Sequence, residues 1–379
     1  MTPGLIPFHD AAAAHARYAN AVDVCMRRVF AHGRFIMGPE VEELEAALAS
    51  FVGVPHAVTV KSGTLALELA LRALGVGEGD EVITTPFSWI SAAEAIMLVG
   101  ARPVFVDIEP STFLLDVELL EATITPKTRA IVPVSLFGQL PALEAINAIA
   151  DRHGLAVIED GAQSFGASRH GQRSCSMTTI GVTSFFPTKT LGCYGDGGAL
   201  FTRDAALARK LRMLRGHGAE KRGEHVAVGM NGRLDTLQAA VLLAKLPQLD
   251  EDLERRRFLA ASYTQGLPQQ LTAPLTLPGN VPVFGQYTVR VAGDRDVFAA
   301  QLRRAGVESA VYYATPLHLQ PVFRALAVPR QPRAESAAAS VLSLPLYPAM
   351  TDEDVRAILR ALHGVVDGSS LGSSTGPGR

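Results

Sequence analysis

Cysteine is scarce in this 379-residue chain: Cys25, Cys175 and Cys193 stand far apart and are odd in number. Such a set offers neither a disulfide framework nor a metal-ligand cluster, and it suits a reducing compartment. An excess of one charge is also lacking, because 35 basic and 37 acidic side chains nearly cancel. No long basic run occurs, which argues against a nucleic-acid footprint, although small acidic ligands need only local donors. Uninterrupted apolar stretches fall short of the roughly 18–20 residues of a membrane span. The opening "MTPGLIPFHDAAAAHARY" has no basic segment followed by an apolar run, so no secretory signal is read. These absences lead to the expectation of a soluble, cytoplasmic protein with no metal, no membrane and no nucleic-acid partner.

Apolar residues make up 48% and charged residues 19%, enough for a sizeable core and too apolar for disorder. The length predicts one large α/β domain with a smaller second one. "PEVEELEAALASFVG" carries early acids and helical apolar spacing, "HAVTV" reads as a strand, and "SGTLALELALRALG" as a helix ended by glycine. The alternation continues through "DEVITTP", "SWISAAEAIMLVG", "RPVFVDI", "RAIVPVSL", "LPALEAINAIADRHG" and "LAVIEDGA". Short apolar strands separated by helices predict a largely parallel sheet covered on both faces, with ligands beyond the carboxyl ends of its strands. The pattern weakens after a helical stretch broken near Pro247. Beyond it, "FGQYTVRV" reads as a strand, and "RDVFAAQLRRAGV" and "TDEDVRAILRALHGVV" as helices. The expected division is 1–248 as the large domain, 249–366 as the small one, and 367–379, "DGSSLGSSTGPGR", as a disordered tail. Some N-terminal residues are expected to pack on the small domain, and residues 17–30 are expected to form a helix suited to an interface or to ordinary packing. No internal repeat is present.

Chemistry-bearing residues stand at the predicted strand ends. Ser62, Gly63 and Thr64 open a helix, where free amides and hydroxyls either cap it or hold a phosphate. Trp89, the one tryptophan, either packs in the core or stacks on a flat heteroaromatic ring. Asp160 ends an apolar strand, where it either caps the next turn or pairs with a pyridinium nitrogen. Gln163 follows as a donor to a neighbouring ring oxygen. Lys189 lies between "SFFP" and "TLGCYGDGG", a setting that serves a solvated charge or an activated amine. Ser184 could reach a phosphate. Gly192, Gly195, Gly197 and Gly198 imply a tightly bent backbone, since neither GxGxxG nor GxxxxGK is present. In chain order, a phosphate grip, a stacking ring, an acid for a pyridine nitrogen and a Schiff-base lysine make up a pyridoxal 5'-phosphate site.

With "PFSWISAAEAI", "VIEDGAQSFGA", "SFFPTKTLGCYGDGGAL", "VGMNGRLDTLQAA", "TPLHLQPVF" and "LSLPLYPAMTDEDV" added to "SGTLALELAL", the chain resembles the DegT/StrS-like (DegT/DnrJ/EryC/StrS) sugar aminotransferases over all but its tail. The resemblance implies the aspartate aminotransferase-like fold type I: a mostly parallel seven-stranded sheet with helices on both faces, plus a smaller C-terminal α/β domain. It implies Lys189 as the cofactor lysine and proton shuttle, with Asp160 at the pyridine nitrogen and Gln163 near the ring hydroxyl. It also puts Trp89 on the ring and Gly63, Thr64 and Ser184 at the phosphate. Asn231 would reach the cofactor of the neighbouring subunit, which implies a homodimer with shared active sites. Relatives that dehydrate sugars carry histidine at the position of Lys189, so this lysine implies transamination, with L-glutamate as donor and pyridoxamine 5'-phosphate as the intermediate form.

"FFPTKTLGCYGDGGA" is most similar to members acting on UDP-2-acetamido-2-deoxy-3-keto uronic acids for O-antigen or related glycans. Arg233, Tyr312, Tyr313 and His318 are the candidate nucleotide or sugar contacts. Arg233 serves either a uronate or diphosphate, or an interface salt bridge. Many relatives read VHYP.PLH.Q where this chain has "VYYATPLHLQ"; Tyr312 and Ala314 are the departures, and they imply a different sugar-recognition geometry. Two alternatives follow: a C4 aminotransferase of a UDP-, dTDP- or GDP-linked 4-keto-6-deoxy sugar, and a cofactor-binding regulatory protein without turnover, against which Lys189, Asp160 and Ser184 argue.

Overall fold

The computed structural model describes residues 4–221 and 223–372. Its main sheet has seven strands: β1 (His56–Val60), β2 (Glu81–Thr84), β3 (Arg102–Phe105), β4 (Thr128–Val132), β5 (Ala156–Asp160), β6 (Ile180–Ser184) and β7 (Gly198–Thr202). The spatial order is β1-β7-β6-β5-β4-β2-β3. Pairing is parallel from β3 through β6. β7 runs antiparallel to both of its neighbours. The chain turns back sharply between Ser184 and Gly198, and that return inserts β7 between β6 and β1.

Both faces of the sheet are covered, as the continuous apolar strands require. Ile131 and Val157 face one core, whereas Ala130, Val132 and Ile158 face the other. This is the two-residue alternation of a pleated strand. The helix Pro39–Val52 packs on the first face; it starts with proline at its first turn, carries Glu40 and Glu42 there, and stops at Gly53 in the left-handed region. The helix Gly63–Ala73 packs on the second face.

A second sheet, β8 (Leu271–Thr272), β9 (Tyr287–Val291) and β10 (Val341–Leu344), has the order β8-β9-β10 and is antiparallel throughout. Helices Arg295–Arg304 and Asp352–Gly372 cover it around a separate core. The expected break at Pro247 is a single 3₁₀ turn, Leu246–Gln248, between helices Thr236–Lys245 and Leu249–Gly266. The second of these helices serves both cores, with Leu249 and Leu253 in the first and Leu259, Ala260 and Tyr263 in the second. Ile6 pairs with Val307, and the helix expected near residues 17–30 spans Ala19–His32.

The final helix runs through Gly372, so the first residues of the expected tail have helical backbone, and the remainder of that segment lies outside the described residues. Among the described residues no helix is long and apolar enough to cross a membrane.

Candidate active site

Register brings the distant motifs together. Asp160 ends β5 opposite Val182 of β6, and Ser184 ends β6 opposite Gly198 of β7. Gly198 also pairs with Val60 at the end of β1, two residues before Ser62. The three segments therefore meet at one edge of the sheet. A Cβ on Gly63 would lie 2.8 Å from Ser184 Cβ, and one on Gly198 would lie 2.6 Å from the Ser62 carbonyl carbon. Glycine is required at both positions because the turn before the helix crosses β6 and β7 at backbone contact distance.

Above this edge lies a cavity of about 360 Å³, bounded in part by Gly63, Thr64, Trp89, Asp160, Gln163, Ser184, Lys189, Tyr312 and Tyr313. These nine, together with Ser62, bring ten of the residues singled out in the sequence into one enclosure. Ser62 caps its helix, accepting a 3.1 Å hydrogen bond from the Leu65 amide. The capping reading therefore holds for Ser62, while Gly63 and Thr64 face the cavity. Thr64 Oγ1 lies 2.8 Å from Ser91 Oγ, and Ser184 Oγ accepts from the Phe186 amide at 3.2 Å. Hydroxyls and a helix start thus converge at one end, the donor set a phosphate needs.

Trp89 is 62% exposed, which overturns the core-packing reading and leaves an indole face open beside Tyr313, their ring centroids 6.3 Å apart. Asp160 is 7% exposed and accepts a 3.1 Å hydrogen bond from the Ala162 amide. It therefore caps its turn and faces the cavity as well. Burial raises its carboxyl pKa, against the Ala162 bond and the nearby Lys189 charge. Burial likewise lowers the pKa of the Lys189 amine, against the opposing pull of Asp160. Burial holds each group toward neutrality, and a cationic ring nitrogen would restore Asp160 to its ionised form. Gln163 is committed at both ends: Oε1 accepts from the Phe137 amide at 2.9 Å, and Nε2 donates to Tyr313 Oη at 2.9 Å. The open indole, the buried acid, the amine held toward its neutral form and the hydroxyl-lined helix start fit pyridoxal phosphate along its length.

Three expected contacts lie elsewhere. Asn231 and Arg233 line an adjoining cleft of about 740 Å³ that shares Ser62 and Asp196 with the cavity. Arg233 Nη2 donates to Asn231 Oδ1 at 2.8 Å, so within one chain the two engage each other. His318 is 6% exposed, with Nε2 3.3 Å from Glu335 Oε1. It packs inside the fold, because the turn Leu317–Leu319 carries it inward, and it does not line the cavity. Sequence reasoning passed over Ser91, Asp196 and Gln286 as wall residues. Ser91 had a signal, since it opens the helix after Trp89; Gln286 had none, because it reaches the cavity from the second sheet. Among the described residues no group of three or more His, Cys, Asp or Glu side chains converges as a metal site.

The model of the DegT/DnrJ/EryC1/StrS aminotransferase family matches residues 19–363. The UDP-2-acetamido-2-deoxy-3-oxo-D-glucuronate aminotransferase of Pseudomonas aeruginosa is 48% identical over 359 residues, covering 94% of this chain and 99% of that one. The crystal structure of a DegT DnrJ EryC1 StrS aminotransferase from Brucella abortus superposes with a TM-score of 0.92 at 40% identity, over 95% of this chain and 99% of that one. NtdA from Bacillus subtilis, solved with bound cofactor PMP, superposes with a TM-score of 0.91 at 30% identity, over 97% and 86%. With matches this long and a cavity fitted to the cofactor, the chain belongs to the DegT/DnrJ/EryC1/StrS aminotransferase family and is a pyridoxal phosphate-dependent aminotransferase of fold type I.

Proposed function

We propose that this enzyme transfers the amino group of L-glutamate to C3 of UDP-2-acetamido-2-deoxy-3-keto-glucuronic acid, in the cytoplasm, for O-antigen or related glycan synthesis. The carrying observation is the single cavity that holds Lys189 and Asp160 beside the Trp89 face. The identity of substrate rests on the similarity to the Pseudomonas aeruginosa enzyme. When bound, pyridoxal phosphate supplies the electron sink and carries the amino group between the half-reactions.

The chain's own residues do the rest. Gly63, Thr64 and Ser184 hold the phosphate, Trp89 lies on the ring face, and Asp160 holds the proton on the ring nitrogen. Gln163 lies beside the ring hydroxyl. Lys189 anchors the cofactor, and its Nζ then takes and returns the proton at the reacting carbon, a role served by its lowered pKa. Tyr312 and Tyr313 face the sugar. Here Asn231 is read as serving the cofactor phosphate of a partner subunit and Arg233 as contacting the uronate or diphosphate, so the working unit is a homodimer with shared sites. In this reading residues 1–248 bind the cofactor and 249–366 form the smaller domain.

The departures Tyr312 and Ala314 favour a second reading, amino transfer to C4 of a 4-keto-6-deoxy nucleotide sugar. The test is the reverse half-reaction: pyridoxal-loaded enzyme is mixed with the UDP-linked 3-amino uronate and, separately, with 4-amino-6-deoxy nucleotide sugars. Rapid appearance of the pyridoxamine absorbance with the 3-amino uronate alone supports C3 transfer. A response confined to a 4-amino sugar replaces it with the second reading.

A further inference from the structure

Gln286 lines the same cavity as Lys189 and Asp160, yet its Oε1 is buried without a hydrogen-bond partner among the described residues. Buried acceptors are nearly always paired in native folds, so an orphan in a binding cavity marks where a ligand's donor completes the bond. Gln163, the neighbouring cavity glutamine, is already committed to Phe137 and Tyr313. Gln286 is not.

The backbone presenting Gln286 is tightly constrained. Val283 donates to the Gly138 carbonyl at 2.9 Å, and a Cβ on Gly138 would lie 2.6 Å from the amide nitrogens of Phe284 and Gly285. A Cβ on Gly285 would lie 2.6 Å from the Gln163 carbonyl oxygen. Phe284 takes φ 47, a region non-glycine residues rarely enter. Arg256, 4% exposed, secures this turn by donating to the carbonyls of Phe284 at 3.1 Å and Leu346 at 3.0 Å. β9 begins at the next residue, Tyr287, so Gln286 stands between a strand and a locked turn. Its backbone is packed against that of Gln163 through Gly285 and is not a free loop, the arrangement expected of a preorganised contact.

We propose that Gln286 is a specificity-determining substrate residue whose Oε1 accepts a hydrogen bond from a donor on the sugar carbon flanking the reacting carbonyl. This rests on the nucleotide-sugar reading above. For a 3-keto sugar that donor is the N–H of the 2-acetamido group or the hydroxyl at C4, two sources of the same chemistry. A side chain acting on the sugar is bypassed in the glutamate half-reaction, so its removal separates the two.

The experiment compares wild type, Gln286→Met and Gln286→Glu as pyridoxamine-form holoenzymes. Binding of UDP-N-acetylglucosamine is measured by calorimetry, and each half-reaction is followed by cofactor absorbance. Gln286→Met is expected to raise the Kd for the UDP-sugar about 3- to 10-fold, the scale of one hydrogen bond. Its glutamate half-reaction is expected to change by less than about threefold, and Gln286→Glu, which keeps an acceptor, to bind close to wild type. The melting temperature without sugar should not fall in the Met variant, because the orphaned oxygen is removed. If the wild-type advantage vanishes with UDP-2-deoxyglucose, the donor is the C2 N–H. If it vanishes with the 4-deoxy analogue of UDP-N-acetylglucosamine, the donor is the C4 hydroxyl. An advantage retained with both analogues, an unchanged Kd in Gln286→Met, or an equal loss in the glutamate half-reaction overturns the proposal. Wild-type enzyme that binds and converts no nucleotide sugar instead overturns the reading on which it rests.

Discussion

Lys245 Nζ donates a 2.6 Å hydrogen bond to the carbonyl of Gly192, three residues beyond Lys189, and lies 4.4 Å above the Tyr194 ring. The last residue of the helix Thr236–Lys245 thereby holds the loop that carries Lys189. Burial, partly opposed by the Cys193 charge, pushes this amine down to about 8.

That shift has a definite sign. Between pH 8 and the ordinary lysine value near 10.4, the unfolded chain binds a proton that the folded one has released, so stability rises with pH across this window. Lys245→Met should remove that rise, on the order of 2–3 kcal/mol, and leave the Gly192 carbonyl without its donor. Urea denaturation at steps from pH 7.5 to 10.5 checks it. Equal slopes for the two proteins would show that Lys245 does not titrate there.

Asp160→Asn keeps the shape of the side chain and loses its charge. The overall transamination rate should fall about 10²–10³-fold, the scale of losing one preorganised electrostatic partner. Fold stability should hold or improve, because burial already disfavours the ionised carboxylate. Stopped-flow half-reactions together with thermal melting separate the two effects; a variant as fast as wild type would contradict a role at the ring nitrogen.

Gly63→Ala pushes a methyl to within 2.8 Å of Ser184 Cβ and 3.3 Å of its Cα. Backbone has to move at the phosphate end, at a stability cost of about 1–3 kcal/mol. Cofactor affinity should weaken with it. Fluorescence titration of apoenzyme with pyridoxal phosphate measures this, and an unaltered Kd would argue against phosphate binding at this helix start.

Trp89→Ala should act in the opposite proportion. The indole is 62% exposed, so the melting temperature should barely change. Loss of ring stacking should weaken the cofactor by about 0.5–1.5 kcal/mol, or roughly 2- to 12-fold in Kd. A large loss of stability with intact cofactor affinity would return Trp89 to a packing role.

Lys189→Ala and Asn231→Ala should each be inactive as pure proteins. Mixed and allowed to exchange subunits, they should regain part of the wild-type activity, because one of the two sites in a mixed dimer then has both residues intact. Failure to recover, with exchange confirmed by sedimentation of tagged chains, would place Asn231 in its own subunit's chemistry.

The helices and strands up to residue 160 were legible because their signals are local. "HAVTV" and "LAVIEDGA" are short apolar runs between helical periods, and the observed β1 and β5 lie within them. The site's main chemistry was legible for a related reason. A strand end followed at once by a helix or turn leaves unpaired groups at one edge of the sheet, and Thr64, Asp160 and Ser184 all stand there. β7 was not legible as antiparallel, since direction depends on how sharply the glycine-rich return bends. His318 does not line the cavity because its short turn faces Glu335, a partner seventeen residues further along the chain in the helix Pro332–Ser340.

Local chemistry therefore carried the fold class and the cofactor set, because propensity, capping and strand-end donors are properties of neighbouring residues. Tertiary structure alone decided which of those groups share a cavity. It exposed Trp89, put Asn231 and Arg233 into the adjoining cleft, buried His318, and brought Gln286, just ahead of a strand of the second sheet, into the wall of the cavity that Gln163 lines. The physical reason is range. A contact such as Gly285 on Gln163 joins residues more than a hundred positions apart, and it forms only when two separately packed cores close against each other.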